Sequence, residues 1–141
     1  AFFAAAAAEV GEVAGLGAAF SLGLALDLLL TISAHDFFFG SPDSHLNPKR
    51  KENQKRFHEH CLKTLGKHPL GFSEKVRVTG PGYHPLWRRI SKNWVAENTG
   101  PTSVNLTLET IWNSPHSTQD GYLRYGAALG QAIASYLITE Q

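Results

Sequence analysis

An α/β domain is what this sequence predicts, and three stretches carry the prediction. Val104, Leu106 and Leu108 alternate with Asn105, Thr107 and Glu109, the period of two expected of a strand whose faces meet different surroundings. Leu24–Ser33 is a continuous apolar run broken only by Asp27, as in a central strand covered on both sides. Tyr122, Gly126, Leu129, Ile133 and Leu137 recur at spacings of four and three, one apolar stripe of a final helix. The two strands are expected to be neighbours or near-neighbours in the core, with the Tyr122–Leu137 helix packed on one face.

The chain has 141 residues, 43% hydrophobic and 18% charged, which suits one domain with a real core. Net charge is +1, unevenly spread: residues 1–48 contain no Lys or Arg, whereas Lys49 to Lys92 hold twelve basic groups against Glu52, Glu59 and Glu74. Such a segment suits an anionic partner or simply solubilises helices. No nucleic-acid reader motif accompanies it. The single Cys61 excludes an intrachain disulfide, and its spacing from Phe57 and Leu65 marks it as a small buried hydrophobe.

Residues 1–20 are Ala-rich, with Gly11, Gly15 and Gly17 interrupting a helix-favouring composition. No basic segment of the signal-peptide kind precedes the apolar run. Val13–Ser33 is long enough for a membrane span, at the cost of Asp27 inside it. A buried helix leading into a core strand is the preferred reading.

His35 closes that first strand and Asp36 follows. A neutral imidazole there can bind zinc through one nitrogen while the other donates to a carboxylate; alternatively it is a histidine at a strand-to-loop junction. Phe37, Phe38 and Phe39 before Gly40-Ser41-Pro42 read as an aromatic loop, with one ring lining a pocket or covering the core. Pro48 opens a charged segment, and Glu52–Leu65 has helical spacing through Phe57, Cys61 and Leu65, broken by Gly66 to Gly71. His58 and His60 fall on different sides of that helix, a poor metal pair. Phe72–Val78 reads as a short extended piece. Tyr83-His84-Pro85 opens a helix with Leu86, Ile90 and Trp94 on one side, Pro85 suiting its first turn. Gly126 and Gly130 suggest close packing of the last helix on the sheet, since the Gly-rich loop of a phosphate cradle is absent.

Glu109 is the last charged group of its strand before Asn113-Ser114-Pro115 turns the chain out. Ends of strands are where open α/β folds build their sites. A surface ion pair is the alternative reading.

L-T-L-E-T-I-W-N at Leu106–Asn113, followed by G-Y-L-R-Y-G-A-A-L-G-Q-A-I-A-S-Y-L at Gly121–Leu137, resembles the C-terminal end of the zinc carboxypeptidase family. Leu26–His35, L-D-L-L-L-T-I-S-A-H, is similar to the family strand that ends in the third zinc ligand. The resemblance runs patchily from about Leu24 to Leu137. It implies a partial three-layer α/β fold with a mixed sheet, His35 as a zinc ligand, Glu109 as general base and Tyr83 as the mobile substrate-binding tyrosine. It also implies Zn2+ as cofactor and a peptide or amidated small molecule as substrate. In such enzymes zinc activates water and a carboxylate takes the water's proton.

The family's H-x-x-E motif occurs nowhere in these residues. The expectation is therefore one incomplete carboxypeptidase-like domain, needing a further N-terminal portion or another chain to supply the remaining zinc ligands. Its alternative is a non-catalytic relative acting as a binding or structural module. Such a chain should expose an apolar surface or sit against another chain.

Overall fold

The computed structural model describes residues 35–139 together with Ala4 and Ala5. The expected strand Leu24–Ser33, the Ala-rich segment and the Val13–Ser33 span lie outside the described residues. Among the described residues no helix is long and apolar enough to cross a membrane.

The architecture is a mixed α/β fold. Strands β1 (Ala4–Ala5), β2 (Phe37–Gly40), β3 (Arg77–Val78) and β4 (Thr107–Glu109) form one sheet in the order β1-β4-β2-β3. β4 runs antiparallel to β1 and β2, while β3 runs parallel to β2. Helices α1 (Pro48–Leu65), α2 (Ser91–Asn98) and α3 (Gln119–Thr139) accompany it. None of this is specific to a carboxypeptidase fold.

The phenylalanine run is a strand and not a loop. Consecutive strand residues project to opposite faces. Phe38 therefore meets Phe57 and Phe72, with ring centroids at 5.8 and 5.0 Å. Phe37 and Phe39 share the other face, edge to face at 5.1 Å. All three are buried, so an unbroken apolar triplet marks a strand covered on both sides.

α1 begins where its cap chemistry says. The Asn47 side chain accepts from Arg50 N at 2.8 Å and Pro48 occupies the first turn. Gly66 ends it, its N–H donating to Leu62 O at 3.1 Å. The inward side carries Phe57, Cys61 and Leu65, which join Phe38, Leu70, Phe72, Leu106, Leu108 and the α3 residues Tyr125, Ala132 and Tyr136 in the core.

α3 covers the expected helix, with a rotated stripe. Gly121, Tyr125, Ala132 and Tyr136 are buried, Tyr122, Leu129 and Ile133 flank the core, and Gly126 and Leu137 are exposed. Gly130 is exposed as well, so the glycines do not seat the helix on the sheet. The close approach is at Gly121 and is local, an added Cβ there lying 2.0 Å from His116 O in the loop that leads into the helix. The helix expected after Tyr83 is also divided. A 3-10 turn, Trp87–Arg89, is separated from α2 by Ile90, whose ψ of 134° is extended. Trp87 turns inward, and Leu86 and Trp94 are left exposed.

Two buried cations fasten the outlying pieces without a carboxylate. Arg50 donates to Ala96 O at 2.5 Å, Thr99 O at 3.0 Å, Gly100 O at 2.6 Å and Ser103 Oγ at 3.1 Å. These carbonyls belong to the C-terminal end of α2, where the helix dipole favours a cation. Lys92 donates to Gly40 O at 2.9 Å, to Asn93 Oδ1 at 2.9 Å and to Thr79 Oγ1. Burial pulls the Lys92 ammonium down to about 8.

Candidate functional site

Glu109 enters the site through strand register. It stands opposite Phe37 in the antiparallel β2–β4 ladder, and Thr107 stands opposite Phe39. Ladder partners project to the same side, so Glu109 shares its face with Phe37 and Phe39. His35 stands in a bend two residues before Phe37, outside the ladder. The ladder itself pairs Glu109 with Phe37 and does not extend to His35.

A third group joins from the far side of β2. Arg77 is the β3 partner of Phe39 and leans back along the sheet, its guanidinium carbon 3.9 Å from the Phe37 ring centroid. The ring holds the cation by its negative face. Arg77 and Glu109 are both half-buried. They flank Phe37 on one face with opposite charge, yet no ion pair joins Glu109 to any described residue. The expected alternative, a surface salt bridge at Glu109, is therefore not formed among the described residues. Burial pushes the Glu109 carboxyl above its ordinary value.

Tyr83 sits further along this face, its ring 5.8 Å from that of Phe39. Phe39 lies four residues from His35, about 13 Å along an extended chain. Tyr83 is thus near the Arg77 end of the face, away from His35.

Zinc is the expectation that fails. Among the described residues no three His, Cys, Asp or Glu side chains converge on one point, whereas zinc sites take at least three protein ligands. The nearby candidates diverge for local reasons. Asp36 follows His35 and so projects to the opposite, helix-covered side. His68 uses Nδ1 to accept from Leu70 N at 3.2 Å and sets its ring edge to face on Tyr125 at 5.0 Å. His35 packs against Gly71, where an added Cβ would fall 2.3 Å from its Nδ1. Zn2+ as cofactor therefore fails among the described residues, and His35 has no fellow ligands there.

Asp36 carries no signal in the sequence beyond its place after His35. It is fully buried. Its Oδ1 accepts from Ile111 N at 2.8 Å, tying the start of β2 to the chain leaving β4. Its Oδ2 and the Tyr125 hydroxyl, both buried, lie side by side without reaching good hydrogen-bond geometry. Burial lifts the carboxyl to about 6, against the opposing effects of the Ile111 N–H, the Tyr125 hydroxyl and His35. The same burial, with the Asp36 charge beside it, drives the Tyr125 phenol upward. The loop beyond is organised on Ile111 O, which accepts from Ser117 Oγ at 3.0 Å and from Tyr122 Oη at 2.5 Å.

Arg77 and Tyr125 were not singled out as site residues in the sequence. Nothing in their spacing marks them, since each acquires its role from a partner on another element. Comparison of the chain with protein-family models, with curated proteins and with solved structures finds no match to any of them.

Proposed function

We propose that this chain is a binding module related to the carboxypeptidases by its C-terminal segments and lacking their catalysis. Its ligand is a peptide-like molecule that carries both a carboxylate and a cationic group. The observation that supports this is the arrangement of Arg77 and Glu109 on either side of Phe37, half-buried and of opposite sign. An arginine held over a ring offers donors to a carboxylate from a fixed position. A partly desolvated carboxylate gains most when a cation arrives beside it. Phe37 and Phe39 lie buried behind the charges, with Tyr83 packed on Phe39, and give them a rigid aromatic backing.

Calorimetric titration with a short peptide ending in lysine, with its C-terminal amide and with its acetyl-lysine form, tests the reading. The free lysine peptide should bind best and be recovered intact. Arg77→Gln should abolish the preference for the free carboxylate, and Glu109→Gln the preference for the charged lysine. Equal affinity for all three peptides in the native chain would overturn it.

A hydrolase reading, with Glu109 as general base, keeps one support: burial moves this carboxyl toward the range in which a base works at neutral pH. Turnover of the same peptides that is lost in Glu109→Gln, with binding retained, would favour it over the binding module.

A further inference from the structure

The face that carries Arg77 and Glu109 fixes a distance as well as two charges. Arg77 stands opposite Phe39, and Glu109 opposite Phe37. Neighbouring strands lie about 4.8 Å apart, so the two Cα atoms are about 9.6 Å apart across the sheet and about 7 Å apart along it. The Arg77 side chain cancels the offset along the strands, because its guanidinium carbon lies 3.9 Å from the Phe37 ring centroid. What remains is a lateral gap of between one strand spacing and two, about 5–10 Å. Phe37 stands behind that gap, buried and packed edge to face on Phe39, so it cannot turn aside. Among the described residues neither charge has an ion-pair partner, and the Glu109 carboxyl is half-buried with its charge unmatched.

We propose, resting on the binding module proposed above, that this face selects its ligand by length: it takes molecules whose carboxylate and ammonium are about six single bonds apart. An extended chain of tetrahedral atoms advances about 1.25 Å per bond, so six bonds span about 7.5 Å, the middle of the gap. A lysine at the end of a peptide has this separation between its carboxylate and Nζ, and 6-aminohexanoate has the same. The two charges of a simple α-amino acid are too close together to reach both protein groups. The ligand carboxylate takes the donors of Arg77 and the ammonium lies beside Glu109. Strand register, which sets the gap, is therefore the source of the selectivity, and peptide character is not required.

NMR titration of the full chain with the linear ω-amino acids from 4-aminobutanoate to 8-aminooctanoate tests this, since chemical shifts follow even millimolar binding. The amide signals of Arg77–Val78 and Thr107–Glu109 should move most. Affinity should peak at 6-aminohexanoate and fall at least about threefold at either end of the series, the effect of a misplaced charge pair of this exposure. Hexanoate and hexylamine, with one charge each, should bind at least about fivefold more weakly than 6-aminohexanoate. Glu109→Asp withdraws the carboxylate by one bond, so the optimum should move to 7-aminoheptanoate while circular dichroism stays native. Affinity that is flat or rises steadily with chain length overturns the proposal, as does an optimum that Glu109→Asp leaves in place. If the lysine peptide keeps its charge preferences and the series shows no optimum, selection by length alone fails. If neither the peptide nor the series binds, the binding module fails with it.

Discussion

Replacing Asp36 with Asn removes a buried charge and leaves the shape and one hydrogen bond in place. The amide oxygen can still accept from Ile111 N, as Oδ1 does at 2.8 Å, and the new NH2 group faces the Tyr125 hydroxyl, which lacks a partner. The native carboxyl is raised from 3.8 to about 6, chiefly by burial. Between these values the folded chain holds more protons than the unfolded one. Stability from this group is therefore fully present below about pH 4 and lost as pH rises to about 6. A shift of this size corresponds to about 3 kcal/mol at neutral pH. Asp36→Asn should thus raise the urea-derived unfolding free energy at pH 7.5 by roughly 1–3 kcal/mol. The gain should shrink to nearly nothing at pH 4. Paired urea titrations of native and variant chains at the two pH values measure it directly. An equal loss of stability at both would refute the reasoning, because it would mean that the charge itself is held favourably.

Glu109 is raised by burial, so affinity for a cationic peptide should climb with pH through the carboxyl range and level off above it, a rise that Glu109→Gln abolishes in calorimetric titrations. Arg50→Lys keeps the charge but loses most of the fork that reaches Ala96, Thr99 and Gly100 carbonyls; a loss of roughly 2–4 kcal/mol in urea unfolding is expected. Gly71 has φ of 70° and no room beside His35, so Gly71→Ala should cost more than about 1 kcal/mol. Part of that cost should return in the His35→Ala background, and a double-mutant cycle with no coupling would show the contact to be irrelevant.

The sequence by itself determined the elements whose signal is local. Gly66 ends α1 where the apolar spacing from Glu52 stops, and the Asn47 cap with Pro48 starts it one turn earlier than that spacing shows. The alternation through Leu106 and Leu108 marks β4 and leaves Glu109 at its end, although the ladder holds only Thr107–Glu109. The last helix likewise shows its extent, since a period of 3.6 is visible in any window along it. Which side of that helix faces inward was decided elsewhere. Apolar residues encircle α3, and only the position of α1, with Phe57 5.5 Å from Tyr136, selects Tyr125, Ala132 and Tyr136 over Leu123 and Leu137. Tertiary structure also made a strand of Phe37–Phe39, by placing β3 and β4 on either side of it. It decided the site in the same way. The resemblance put His35 and Glu109 in one chemistry, but the strand expected to end at His35 lies outside the described residues, and the β2–β4 ladder pairs Glu109 with Phe37. The side chains that could complete a metal centre turn away, because residues adjacent in a strand face opposite sides. Arg77 joins Glu109 across Phe37 instead, and Asp36 faces Tyr125 beneath the sheet. Such pairings depend on contacts between distant elements, and no local pattern encodes them.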